Sequence, residues 1–428
     1  MTYAIVQTPE GSTHGLKFYG GAREFWRYKG PEVMLEGPFE TGKTIAVLSK
    51  LHALLCKYPN SRALMVRETY KSLVQSAVVT YEKKVLPYPP EDPKSGIVKF
   101  GGEKPDFYAY PNGSRLICGG LDNADKVLSA EYDYIYVNQA EELDLDAWEK
   151  LTGRATGRAA NAPYPQVMGD CNPSYPAHWI LTRKALQRFQ QFHEHNPTLF
   201  DQETGEITER GKLTMSVLDA LTGVRFLRGR KGIWAAAEGV IFDNWSAKNI
   251  TDDADYNPDL DLYWAVDDGY VYGEGPGSAS YHPRVILFMQ PTPVGGVNVV
   301  DEYYATGELS ENTIANAFQK PYKRPDRAYV DSSAAELKAR LWGADVLTIG
   351  ATHLVHEGIK NLRALICDAN DQRLFRIHPR CVQLNRELSS YRYDDASRLA
   401  NIGEPKPLKV DDHGPDAARY GTFHMRHG

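Results

Sequence analysis

Along the first half of the chain, apolar and polar positions follow two alternating rhythms. Short apolar runs of strand length occur at "EVML" (32–35), "RALMVR" (62–67), "SRLICGGL" (114–121), "YDYIYV" (132–137) and "PQVMGDCNP" (165–173). Longer segments with helical spacing lie between them. "TIAVLSKLHALLC" places apolar residues at 45, 48, 51, 54 and 55. "ETYKSLVQSAVVTYEKKVL" and "LDLDAWEKLTGR" follow, the second with Asp144 as a candidate N-cap. This rhythm predicts an α/β domain whose mostly parallel sheet carries helices on both faces.

The texture changes between about 198 and 258. "DQETGEITERGK" and "ITDDADYNPDLD" are polar and turn-rich. Beyond them, "LYWAVDDGYVYG", "RVILFMQPT" and "VNVVDEYYATGE" predict antiparallel strands, and "SENTIANAFQKPY" a helix. "DRAYVDSSAAELKARLWG" reads as strand then helix, and a last helix is expected to start near Pro415. The expected division is a first domain over 1–195, a lid or linker over 196–257 and a second domain over 258–428.

Composition narrows the class. The chain has 428 residues, 42% hydrophobic and 24% charged, enough for two or three domains with buried cores. A net charge of −6 argues against a globally basic nucleic-acid coat and leaves room for a local basic groove. Five scattered cysteines without CxxC pairing point to a reducing compartment. The N-terminus does not read as a signal peptide, and no apolar run reaches the roughly 20 residues of a membrane helix.

The strongest chemical signal is "GPFETGKT", comprising Gly37, Pro38, Phe39, Glu40, Thr41, Gly42, Lys43 and Thr44. It follows a strand and precedes a helix, the context in which G-x-x-x-x-G-K-[ST] cradles phosphates. Backbone N–H groups would face phosphate oxygens, Lys43 the β/γ-phosphates of ATP, and Thr44 a Mg²⁺ ion. About a hundred residues on, the second strand ends in "VNQAEEL". Nucleotide-hydrolysing motors carry an acid pair there; here Asn138 and Gln139 stand in those places. Asn138 can accept a hydrogen bond from metal-bound water, and Gln139 can orient a water. Glu141 and Glu142 are the nearest bases, and either could instead cap the following helix.

In the second half Asp267 and Asp331 end apolar runs, and Asp416 opens an expected helix. Strand-end acids are costly to bury unless they bind metal or are well hydrogen-bonded. Together the three can hold two Mg²⁺ or Mn²⁺ ions for phosphodiester hydrolysis. Asp412 is a candidate fourth ligand, and Asp268 could share the role of Asp267. His413 reads as a surface histidine or a water-orienting one.

In order along the chain stand the phosphate loop, "YIYVNQAEELDLDAWEKLTGRATGR", "MGDCNPSYPAHWI", "WAVDDGY", "YVDSSAAEL" and "DDHGPDAARY". That series resembles the large terminase subunit of tailed bacteriophages, over nearly the whole chain. The resemblance implies a P-loop ATPase domain with a mostly parallel sheet of the additional-strand type. It also implies an RNase H-like α/β nuclease domain with a mixed sheet. Asn172 would then report loss of the γ-phosphate. Phe39 stands where the family has a loop arginine, leaving Arg67, Arg154 and Arg158 as candidates for γ-phosphate contact. Phe25 and Trp26 are candidate adenine walls or, equally, core aromatics. Implied partners are double-stranded DNA, a small terminase subunit and a portal protein. A homo-oligomeric ring would form during packaging. The protein would sit in the host cytoplasm, transiently at the procapsid portal, and be absent from the mature virion. Phosphate-directed DNA contacts would fall to Lys360, Arg363, Arg373, Arg376 and Arg380. Two other functions share these sites: an ATP-regulated repair or recombination nuclease, and an ATP-binding scaffold without hydrolysis.

Overall fold

The computed structural model describes residues 3–7, 13–160, 162–269, 283–351, 354–368, 370–394 and 404–427. The expected strand run over 262–273 therefore leaves the described residues at 270. Contacts divide the chain into two compact units. One is Met1–Ser174 with Arg183–Ala235, the other Tyr175–Thr182 with Ala236–Gly428.

The strands of the first unit are β1 Tyr3–Gln7, β2 Thr13–Lys17, β3 Glu32–Glu36, β4 Arg62–Arg67, β5 Val98–Phe100, β6 Phe107–Ala109, β7 Arg115–Gly120, β8 Tyr134–Val137, β9 Gln166–Cys171 and β10 Gln187–Gln190. β1 and β2 form a hairpin of their own, and the rest build an eight-stranded sheet in the order β10-β3-β9-β8-β4-β7-β6-β5. From β10 to β7 every pairing is parallel. Only the pairings β7–β6 and β6–β5, at the far edge, are antiparallel. β9 is inserted between β3, which leads into the phosphate loop, and β8, which ends at Asn138. That insertion is the additional strand expected from the resemblance. The central strands are apolar on both faces because helices cover both. Val33, Met34, Leu35, Leu64, Met65, Ile135 and Tyr136 are all fully buried.

The helix read over 44–56 spans Lys43–Lys57. Asp144 caps helix Leu145–Thr152 as expected, its carboxylate accepting from Ala147 N at 2.8 Å. The segment read as one helix over 68–86 starts as Tyr70–Leu73 and continues with π-helical turns at Val74–Val78 and Tyr81–Val85. The sequence reading did not foresee β5, β6 and β10, which are three or four residues long.

The second unit holds β11 Tyr263–Asp268, β12 Arg284–Pro291, β13 Val297–Ala305, β14 Arg327–Val330, β15 Thr348–Gly350 and β16 Phe375–Ile377. Their order is β15-β14-β11-β12-β13-β16. β11, β12 and β13 pair antiparallel, while β14 joins β11 and β15 joins β14 in parallel. This antiparallel meander extended by parallel strands is the mixed RNase H-like sheet. Helix His413–His427 packs on it with Ala417 and Ala418 fully buried.

The contact boundary at Ala235/Ala236 precedes the acidic stretch where the sequence suggested a division. Ile241, Phe242 and Trp245 explain why, since they are core residues of the second unit with Leu384, Leu388 and Tyr391. Trp245 also donates its indole N–H to Asn385 Oδ1 at 2.9 Å. Residues 196–235, with helices Glu209–Asp219 and Gly223–Gly229, stay with the first unit.

Candidate active sites

β3 feeds the loop 37–42, whose shape depends on its glycines. A Cβ on Gly37 would lie 2.1 Å from the Gln191 carbonyl oxygen. Gly42, at φ 83°, turns the chain into the next helix. The loop wraps around the ammonium of Lys43, which donates to the carbonyls of Gly37 (2.8 Å) and Pro38 (2.6 Å) and to Asn172 Oδ1 (3.1 Å). Burial lowers the Lys43 pKa, and the charges of Asp170, Glu141 and Glu40 oppose that shift. Phe39 donates its backbone N–H to the Gly229 carbonyl (2.9 Å), so the 223–229 helix closes over the loop. Phe39, Glu40, Gly42, Lys43 and Thr44 line a cleft of about 330 Å³ that also takes in Gln139 and Asn172.

The charge absent from Asn138 is supplied by the neighbouring strand. Asp170 on β9 accepts the hydroxyl of Thr44 (2.5 Å) and that of Tyr136 (3.1 Å). It also accepts the Asn138 amide (3.1 Å) and the Gln139 backbone N–H (2.8 Å). Asn138 is buried and accepts from Ser76 Oγ at 3.2 Å. Gln139 sits at φ 51° and ψ 59°, a left-handed conformation rare for a non-glycine residue and common at functional sites. Thr44 Oγ and the Asp170 carboxylate are hard oxygen donors side by side at the phosphate end of the cleft, a set that suits Mg²⁺.

The two glutamates have different surroundings. Glu141 is half-buried, with Oε2 shielded from solvent, and its Oε1 accepts from Asn172 Nδ2 at 2.8 Å. Burial pushes its pKa up to about 7; the Asp170 charge adds to this and the Asn172 hydrogen bond opposes it. Glu142 faces away in a two-pronged pair with Arg67, at 2.8 and 2.6 Å. Asn172 therefore links Lys43 on one side to Glu141 on the other. Arg67, expected at the γ-phosphate, is held by Glu142 and Ser76. Arg158 pairs with Glu131 at the surface.

Phe25 is a core residue with no exposure, the second of its two readings. Trp26 stacks on Phe18, ring centroids 5.0 Å apart. A smaller cleft beside the phosphate loop is lined by Phe18, Tyr19, Ile45, His195 and Pro197, and these form the apolar walls next to Gly42.

In the second unit the parallel register sets Val266 beside Val330, so Asp267 and Asp331 follow at adjacent strand ends. Asp331 donates its N–H to the Val266 carbonyl at 3.2 Å. Burial raises the Asp267 pKa to about 6, and the charges of Asp416 and Asp331 add to the rise. The charges of Asp331 and Asp416 thus reach Asp267. Each is also held by protein partners. His413 Nδ1 lies 2.8 Å from Asp267 Oδ2, and Tyr420 OH donates to Asp331 Oδ2 at 3.1 Å. Tyr391 OH donates to Asp416 Oδ1 at 3.1 Å, and Arg419 lies 3.2 Å from the same oxygen. Lys409 bridges Asp412 (2.8 Å) and Asp416 (2.9 Å). Among the described residues, no group of three or more His, Cys, Asp or Glu side chains stands ready to hold a metal ion. The donors suit Mg²⁺ or Mn²⁺ in kind, being carboxylate oxygens, while lysine, arginine and histidine balance their charge.

No protein-family model and no curated protein matches the chain. Solved structures do match it. The large terminase from a thermophilic bacteriophage, in complex with ADP, is 19% identical, covering 96% of this chain and 100% of that one at a TM-score of 0.42. The HK97 bacteriophage large terminase is 10% identical, covering 97% and 96% at a TM-score of 0.46. The large terminase nuclease from a second thermophilic phage is 14% identical over 39% of this chain and 83% of that one, at a TM-score of 0.28. The solved structures this chain resembles are phage large terminases.

Set beside the large-terminase expectations, several placements differ. Asp268 pairs with Arg284 at 2.6 Å and so does not share the place of Asp267. His413 is not a surface residue; it is largely enclosed, and the Asp267 carboxylate raises its pKa against the effect of burial. Arg363, Arg373 and Arg380 are tied to Asp243, Asp371 and Asp255. Asp170 was overlooked in the sequence although "MGDC" ends an apolar run. The strand-end rule that singled out Asp267 and Asp331 applies to it equally.

Proposed function

We propose that the chain is a large terminase subunit: an ATP-driven motor for packaging double-stranded viral DNA, with a metal-dependent endonuclease in its second unit. The observation that carries this reading is the Asp170 carboxylate, gathered by Thr44, Asn138 and Gln139 beside an intact phosphate loop. It supplies the acid that "VNQ" lacks, and it disfavours a scaffold that has lost hydrolysis.

ATP would lie with its phosphates in the loop 37–44 and its base against Phe18 and Tyr19. Bound Mg²⁺ would neutralise phosphate charge, with Thr44 and Asp170 as its protein neighbours. Gln139 orients the attacking water, and ionised Glu141 takes its proton. Asn172 holds the Glu141 carboxylate and the Lys43 ammonium together, so a change at the phosphates reaches the base. In the second unit, Asp267, Asp331 and Asp416, with Asp412, would hold two Mg²⁺ or Mn²⁺ ions that activate water and stabilise the leaving oxygen. Lys409 has to give way as they bind. DNA contact is through phosphates, without sequence preference. Working partners are a small terminase subunit, a portal protein and further copies of this chain in a ring, at the procapsid portal in the host cytoplasm. Among the described residues no helix is long and apolar enough to cross a membrane.

Phosphate release by the full chain tests the motor half. Lys43→Ala should lower it by roughly a hundredfold or more. Equal, slow release by wild type and variant would refute ATP hydrolysis at this loop.

A further inference from the structure

A cleft that binds a triphosphate needs positive charge, and two of the three candidate arginines are committed elsewhere. Phe39 replaces the loop arginine, Arg67 is paired with Glu142, and Arg158 with Glu131. Lys43 serves the inner end, where loop carbonyls and Asn172 hold it. One further lysine lines the same cleft. Lys84, with Thr80, belongs to the helical segment that leaves β4 and runs along the open side of the phosphate site.

The segment's path explains their placement. Thr69 caps its start, accepting from Ser72 N at 3.3 Å. Ser76 donates to Asn138 at the end of β8, which pins this face of the helix to the floor of the site. Thr80 and Lys84 follow at successive steps of four residues, so all three stand on one face. π-helical turns lie at 74–78 and 81–85, and Thr80 and Lys84 line the cleft. The opposite face is anchored by Val78, Tyr81 and Val85, all buried. Lys84 is exposed, and among the described residues no carboxylate pairs with it.

We propose that Lys84 is a catalytic cation acting in cis, contacting a γ-phosphate oxygen and supplying the charge that Phe39 leaves out of the loop. Thr80 offers a hydroxyl one step further in. The proposal rests on the reading of the first unit as an ATPase. A lysine is a point charge on a flexible stem and can follow the γ-phosphate as it leaves, whereas a bidentate arginine would hold it. The contact exists only with a triphosphate, so its loss should separate ATP from ADP.

The test uses the full chain carrying Lys84→Gln, Lys84→Arg or, as a control of equal charge change, Lys83→Gln. Fluorescent ADP and ATPγS are titrated with Mg²⁺, and phosphate release is measured. Lys84→Gln should leave ADP affinity unchanged, weaken ATPγS about tenfold and slow phosphate release by roughly a hundredfold. Lys84→Arg should recover part of both losses, and Lys83→Gln should match wild type. Equal effects on ADP and ATPγS, or the same loss for Lys83→Gln, would overturn the assignment. So would recovery of turnover on mixing Lys84→Gln with Lys43→Ala, because Lys84 would then serve a neighbouring subunit. If the wild type binds neither nucleotide, the ATPase reading itself fails. If only Lys84→Gln behaves as wild type, that reading stands and the Lys84 role falls.

Discussion

The phosphate cleft and the acidic cluster both sit at the carboxyl ends of sheet strands, but they hold their charges by different means. In the first unit the loop backbone and neutral side chains build the site. Loop carbonyls grip Lys43, and Asp170 accepts from four donors on the loop helix and β8. In the second unit side chains build it. His413 and Tyr420 satisfy the acids on β11 and after β14, while Lys409, Tyr391 and Arg419 satisfy Asp412 and Asp416 at the last helix. A site built of backbone and neutral groups is ready before its ligand arrives. A site balanced by its own cations must exchange those partners for metal, so its occupancy should depend more on metal concentration and ionic strength.

The most severe way to break this comparison is in the second unit. Asp331→Ala removes a carboxylate that no neighbour replaces. Mg²⁺- or Mn²⁺-dependent DNA nicking should fall by roughly a thousandfold or more, the equivalent of several kcal/mol. Phosphate release should stay at the wild-type rate. Undiminished nicking by the variant would remove Asp331 from the site.

The next effect separates the two glutamates. Glu141→Gln keeps shape and loses the base, and turnover should drop roughly a hundredfold to ten-thousandfold. The pH dependence follows from its environment. Burial pushes Glu141 up to about 7, so below that value the carboxyl is protonated and cannot accept a proton. Turnover should fall about tenfold per pH unit on the acid side and level off above about 7. A flat profile in wild type, or the same acid limb in Glu141→Gln, would point to another base. Glu142→Gln should be the mildest change. It breaks a partly exposed pair with Arg67, worth at most about 1 kcal/mol, so turnover should change less than about fivefold.

Legibility in the sequence follows the same contrast. The loop 37–44 could be read because its chemistry is local: two glycines, a lysine and a threonine at set spacing between a strand and a helix. The parallel sheet followed from the alternation of apolar runs, and the strand-end acids from the cost of burying them. Partners brought together by the fold could not be read. Nothing near Glu142 announces Arg67, 75 residues away, and nothing near Asp267 announces His413, 146 residues away. β5, β6 and β10 are too short to show a period, and Phe25 gave the same aromatic signal as a ligand wall although it is packed in the core. Asp170 was legible in principle. It was passed over because the acid was sought on the strand ending at Asn138, whereas the fold supplies it from the strand inserted beside the loop.

That substitution is the central claim, and Asp170→Ala tests it most directly. Mg²⁺-dependent phosphate release by the full chain should be measured for wild type and variant at saturating ATP, with ADP binding as a check that the cleft still forms. ADP binding should persist while phosphate release falls roughly a hundredfold to a thousandfold. Wild-type release by Asp170→Ala would contradict it.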